Sequence, residues 1–111
     1  MNVTYDKVFL NADAAAKSEA VSLVNESELL LNVQGTATAF SIQVMGANIA
    51  PEVVDASGTA LAVINMTDFS VTDTITKQGL YAIALDGVQR VWLSLDGVSG
   101  GNVIAYGRMG G

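Results

Sequence analysis

The stretch ELLLNVQGTATAFSIQVM, residues 28–45, constrains this chain more than any other. Leu29, Leu31 and Val33 alternate with Leu30, Asn32 and Gln34, and after a Gly-Thr-Ala-Thr break Phe40, Ile42 and Val44 alternate with Ser41, Gln43 and Met45. A period of two puts successive side chains on opposite faces of an extended backbone, so both segments read as strands with one buried face. The same period returns in the last third. Tyr81, Ile83 and Leu85 oppose Leu80, Ala82 and Ala84, and Val91, Leu93 and Leu95 oppose Arg90, Trp92 and Ser94. Strands are expected over residues 20–24, 28–34, 37–45, 60–65, 80–85, 89–95 and 102–107, separated by Gly, Asp, Asn and Ser. Several of them are apolar on both sides, which predicts that an outer sheet face is also covered. Seven short strands with little helical periodicity predict an all-β chain, a single β-sandwich of jelly-roll type.

Residues 1–18 have a different character: they are alanine-rich and mildly polar, with Val8, Phe9 and Leu10 as their apolar cluster. They read as an N-terminal arm or a short helix preceding a β-sandwich domain over residues 19–111. Asp13 is placed to cap a helix over residues 13–19. Val8, Phe9 and Leu10 are then candidates to dock in a groove or add a strand to a neighbour's sheet edge.

Composition narrows the function. The chain has 111 residues, enough for one core. It is 50% hydrophobic and only 14% charged, with mean hydropathy +0.42. No apolar run reaches the roughly 20 residues of a membrane span, so the excess points to surface buried against copies of itself or a partner. A net charge of −6 disfavours nucleic acid. With no histidine and no cysteine, the usual zinc sites, disulfides and His-based acid–base catalysis are excluded. Asp6 and Lys7 stand where a secretory signal has its basic cap and apolar core, so none is expected. The glycosylation sequons at Asn2, Asn25 and Asn65 are read as chance matches. No cofactor, metal or catalytic residue is expected.

Three features invite a functional reading. Leu-Asp-Gly-Val occurs at residues 85–88 and again at 95–98. Asp-Gly is a favoured hairpin turn, and neither copy has the further acidic ligands of a calcium loop, so both read as turns around the strand 89–95. The loop MTDFSVTDTIT holds Asp68 and Asp73, but no sugar-binding aromatic platform accompanies them; it reads as a solvated connection with Phe69, Val71 and Ile75 anchored in the core. A hydrolase would need carboxylates brought together from Asp55, Asp68, Asp73, Asp86 and Asp96. Trp92, the single tryptophan, shares a face with Arg90. It is either a core residue or a binding residue, a sugar-stacking platform or, with Arg90, an interface anchor.

The segments Asp73-Thr74-Ile75-Thr76, Gly79-Leu80-Tyr81-Ala82-Ile83, Asp86-Gly87-Val88, Val91-Trp92-Leu93, Gly100-Gly101-Asn102-Val103 and Gly107-Arg108 together form a pattern over residues 28–108. It resembles that of small virion proteins of tailed bacteriophages, of the capsid decoration or head-fibre type. The chain departs from the pattern at GANIAPEVVDASG, residues 46–58, where many such proteins carry a Gly and a Trp, so no functional residue is transferred. The resemblance implies a structural protein without catalysis that coats the capsid surface in many copies, after synthesis in the host cytoplasm. Its partners would be the major capsid protein and its own copies, a trimer fitting a threefold position, with neither nucleic acid nor membrane involved. The alternative is a carbohydrate- or receptor-binding module of a tail fibre or adhesin.

Overall fold

The computed structural model describes residues 5–24, 26–48 and 58–110. Within them every regular element is a strand: β1 (Tyr5–Ala12), β2 (Ala16–Lys17), β3 (Val21–Ser22), β4 (Glu28–Gly35), β5 (Ala39–Ala47), β6 (Thr59–Ala60), β7 (Val63–Asn65), β8 (Val71–Thr72), β9 (Gly79–Ala84), β10 (Arg90–Ser99) and β11 (Val103–Gly110). They form two sheets. One has six strands in the order β1-β11-β4-β9-β7-β8, the other the order β2-β10-β5-β6 with β3 also paired to β10. All the pairings between strands are antiparallel.

The alternation that predicts the strands also builds the core. Leu29, Leu31 and Val33 of β4, Tyr81 and Ile83 of β9, and Val103, Ala105 and Met109 of β11 line the inner face of the six-stranded sheet. Across from them stand Phe40, Ile42 and Val44 of β5 and Val91, Leu93 and Leu95 of β10. These side chains belong to one apolar cluster, and no buried polar or charged side chain interrupts it among the described residues. At about 1.5–3 kcal/mol for each large apolar side chain removed from water, this seam outweighs every surface interaction in the molecule.

The N-terminal segment is not an arm. β1 pairs with β11 from Tyr5↔Met109 to Ala12↔Val103, and β2 pairs with β10, so the described residues of 1–18 contribute to both sheets. No helix forms over residues 13–19; β2 lies there instead. The register of β1 shifts between Val8↔Tyr106 and Leu10↔Ala105, two steps on β1 against one on β11. This bulge breaks the alternation, so that Phe9 and Leu10 both turn inward, to 6% and 4% exposure, while Val8 stays outside. Gly107 makes room for Phe9: a Cβ there would run into the Phe9 ring and come within 2.9 Å of Leu29 Cδ1.

The Asp-Gly repeats differ from the expected hairpins. Asp86-Gly87 is a turn, closed by the Val88 N–H donating to Leu85 O at 2.9 Å with Gly87 at φ +81°, but it carries the chain from β9 in one sheet to β10 in the other. Asn48 braces it, donating to Gly87 O at 2.6 Å and accepting from Gln89 N at 2.7 Å. Asp96-Gly97 lies inside β10. There the register to β5 shifts between Asp96↔Ser41 and Ser99↔Ala39, and Gly97, at φ +63°, supplies the extra residue of a second bulge. The chain reverses only beyond it, at Gly100-Gly101.

Because β1 is a sheet strand whose side chains fill the core, Phe9→Ala is expected to cost about 3–5 kcal/mol in urea unfolding. A chain lacking residues 1–12 should lose its cooperative thermal transition by circular dichroism; an unchanged melt would return this segment to the role of a dispensable arm.

Candidate interaction surface

Antiparallel register determines which outward side chains are neighbours. On the outer face of the six-stranded sheet one row runs Val8, Tyr106, Asn32, Leu80, with Met66 following, where its N–H bonds to Leu80 O. The adjacent row runs Asp6, Arg108, Leu30, Ala82, Ile64, Val71. Eight large apolar side chains are exposed among the described residues: Val8, Val24, Ile64, Met66, Phe69, Val71, Leu80 and Tyr106. All but Val24 lie in these rows or on the β7–β8 hairpin at their end. Surface apolar residues are ordinarily scattered, and a contiguous group of this kind marks a site of association.

Phe69 opposes two preferences at once. It is 71% exposed, and it has φ +60°, in the left-handed region that glycine and asparagine normally occupy. The five-residue connection 66–70 imposes that conformation, with Phe69 N–H donating to Asn65 O at 2.7 Å and Asn65 N–H to Ser70 O at 2.9 Å. Asn65 Oδ1 accepts from Thr67 N at 2.8 Å, and Asp68 Oδ1 accepts from Ser70 N at 3.0 Å and from Ser70 Oγ at 2.7 Å. These bonds hold the tip in shape. Phe69 and Val71, expected as core anchors, are therefore outside; only Ile75 of that trio is buried, its backbone bridged to Ile42.

Charge sits at the ends of the surface. Arg108 Nε donates to Asp6 Oδ1 at 2.9 Å, which holds the Asp6 carboxyl below its ordinary pKa and raises that of Arg108. The Ser70 backbone and hydroxyl do the same for Asp68. Tyr81 is shifted up, by burial first and then by the nearby Asp68 charge; its hydroxyl donates to Lys77 O at 2.7 Å.

The expected interface residues divide. Val8 lies on this surface, while Phe9 and Leu10 are in the core. Trp92 and Arg90 belong to the outer face of the other sheet, opposite Met45 and Ala47 of β5, and both are half-buried. Gly58 lies against the Trp92 ring, where a Cβ would approach Cζ2 and Cη2 to 2.6 Å. Of the carboxylates considered for hydrolysis, Asp55 lies outside the described residues. Among the described residues no group of three or more His, Cys, Asp or Glu is placed to hold a metal. Leu80, Tyr106, Ile64 and Met66 were not singled out from sequence. The signal for Leu80 was the two-sided apolar pattern of residues 80–85; what exposed it is that none of the described residues forms a layer over that side.

Two measurements follow. Phe69→Gly relieves the left-handed strain and removes little packing, so stability should rise by about 0.5–1 kcal/mol in urea. Asp68 has a depressed folded-state pKa, so its contribution is present above the ordinary carboxylate value and is lost as pH falls through the folded value. The melting-temperature difference between Asp68→Ala and the parent should therefore shrink towards zero in acid, and a constant difference would mean that the charge is not involved.

Comparison with known proteins follows the fold closely. No curated protein matches by sequence. The SPBc2 prophage-derived protein YomS superposes with TM-score 0.86 at 19% identity, over 100% of this chain and 96% of its own. The PBSX exported protein XepA also gives TM-score 0.86, at 18% identity over 99% of this chain; the chain spans only 38% of that protein's length. At these identities the superpositions establish the shared fold. The sequence profile of the XepA family matches residues 2–109, nearly the whole chain, and this protein belongs to the XepA family.

Proposed function

We propose that this protein is a bacteriophage structural protein that decorates the capsid, binding its outer surface in many copies and stabilising it. The observation that carries the reading is the apolar outer face of the six-stranded sheet, built from Val8, Tyr106, Leu80, Ile64 and Val71 on strands rather than on mobile loops. Rigid presentation suits a protein that repeats one contact many times, because little side-chain or loop entropy is lost at each copy. The phage origin of the similar folds, named as prophage-derived and PBSX proteins, supports the setting. The name of the second, an exported protein, supports a location outside the producing cell, consistent with a particle surface.

The jelly-roll assignment belongs to the same proposal. β1-β11-β4-β9 lie in one sheet and β2-β10-β5-β6 in the other, and the chain changes sheets between β1 and β2, β3 and β4, β4 and β5, β6 and β7, β9 and β10, and β10 and β11. That order supports an eight-strand double Greek key with the β7–β8 hairpin added to it. The rival glycan-binding reading needs an exposed aromatic platform. Phe69 and Tyr106 are better candidates for it than Trp92, because the Trp92 ring is partly covered.

The test is co-sedimentation of the purified full chain with undecorated capsids from its own source. Saturable binding at many copies per particle and a shell more resistant to heat are the expected results, with Leu80→Glu weakening binding at least about tenfold. Capsids that pellet without the protein at saturating concentration would overturn decoration.

A further inference from the structure

We propose that Phe69, at the tip of the β7–β8 hairpin, anchors this protein to its shell by filling an apolar pocket with a cationic rim on the major capsid protein. The inference rests on the decoration reading and adds to it the anchoring residue and the kind of socket it fits. Three observations select Phe69 and describe that socket.

The first is strain. Among the described residues Phe69 is the one non-glycine at positive φ, +60°. Glycine or asparagine would suit that backbone better, and a Phe that is 71% exposed returns little packing to the fold. The bonds made by Asn65, Asp68 and Ser70 nonetheless keep the tip in one shape. A residue that folding neither needs nor favours, held rigidly, is preorganised for a contact outside the chain, because little backbone freedom is lost when it binds.

The second is shape. β8 is the edge strand of its sheet, and the ladder from the hairpin to β9 closes with Met66 N–H donating to Leu80 O at 3.0 Å. Residues 67–70 extend past that point, so Phe69 stands at a corner of the sheet, flanked in sequence by the exposed Met66 and Val71. A flat partner would cover one side of such a ring and leave the other in water. A concave partner desolvates it fully, which is how aromatic anchors concentrate binding energy.

The third is charge. Asp68 precedes the ring, and Ser70 donates to its Oδ1 through both N–H and hydroxyl, which favours the ionised carboxylate. Asp73 is exposed on the next connection. A bilayer would have to take the Asp68 charge along with the ring, which hydrocarbon resists. A protein pocket can meet that charge with a lysine or arginine at its mouth, so the complementary socket is apolar within and cationic at the rim.

The test is co-sedimentation of full-chain variants with undecorated capsids, alongside their melting temperatures. Phe69→Asn suits the left-handed backbone and removes the ring; it should melt no lower than the parent yet bind at least about tenfold more weakly. Phe69→Leu, equally strained but apolar, should stay within about threefold of the parent. Asp68→Asn, whose Oδ1 can still accept from Ser70, should weaken binding about threefold through loss of charge. Val24→Asn, at an exposed apolar residue away from this surface, should leave binding unchanged. A parent chain that does not sediment with capsids overturns decoration and the anchor together. A parent that binds while Phe69→Asn binds equally well overturns the anchor alone. If Phe69→Leu falls as far as Phe69→Asn, a flat ring is required, as in stacking on a sugar, and the apolar pocket is overturned. Unchanged binding by Asp68→Asn overturns the cationic rim. Flotation with phosphatidylcholine vesicles that Phe69→Asn abolishes overturns a protein partner.

Discussion

The packing of two inner sheet faces against each other is the constraint on which the rest of this molecule depends. Leu29, Leu31, Val33, Ile83 and Met109 on one side and Ile42, Val44, Val91, Leu93 and Leu95 on the other are all at or near zero exposure. Neither sheet can bury its apolar side alone, because a lone sheet leaves one face to water whichever way it twists. The chain therefore crosses repeatedly from sheet to sheet. The turn at Asp86-Gly87 and the reversal at Gly100-Gly101 are where β10 leaves one layer and returns to it. Their glycines accept positive φ, which lets the backbone change direction in few residues.

Two bulges adjust this packing where strict alternation would fail. In β1 the extra residue sends Phe9 and Leu10 to the same side, Phe9 into the space that Gly107 leaves open. In β10 Gly97 takes the left-handed conformation, and the strand keeps its pairing to β5 through Ser99. Each bulge costs a ladder position and re-aims side chains that a regular strand would misplace. The first makes the N-terminal segment part of the fold.

The outer face of the six-stranded sheet is the exposed counterpart of that core. Its apolar rows sit on the same strands, one residue out of phase with the buried ones, so the backbone that orders the interior also orders the surface. Phe69 extends this logic to the hairpin tip, where the bonds among Asn65, Thr67, Asp68 and Ser70 hold an aromatic residue in a conformation it disfavours. Strain of about 1–3 kcal/mol persists only where surrounding structure imposes it, and such positions cluster at binding sites.

Period-two alternation was enough, without coordinates, to mark β4, β5, β9, β10 and β11 as strands and to name most of the side chains they bury, because burial on one face imposes that period directly. Composition, half hydrophobic and little charged, raised the expectation of a covered surface, and the structure supplies the exposed apolar face to which that expectation applies. Tertiary structure decided what local pattern does not encode. A bulge reverses the phase of alternation at Phe9 and Leu10, and nothing in KVFLN distinguishes a bulged strand from a free arm. Asp-Gly is compatible with a hairpin, a crossover or a bulge, and only the partners of β9 and β10 tell them apart. The sequence of β9 is apolar on both sides, yet which side meets the core and which meets water follows from the position of the second sheet. For the same reason the exposure of Leu80, Tyr106 and Phe69 is a property of layers, set by what lies above each strand rather than by the residues within it.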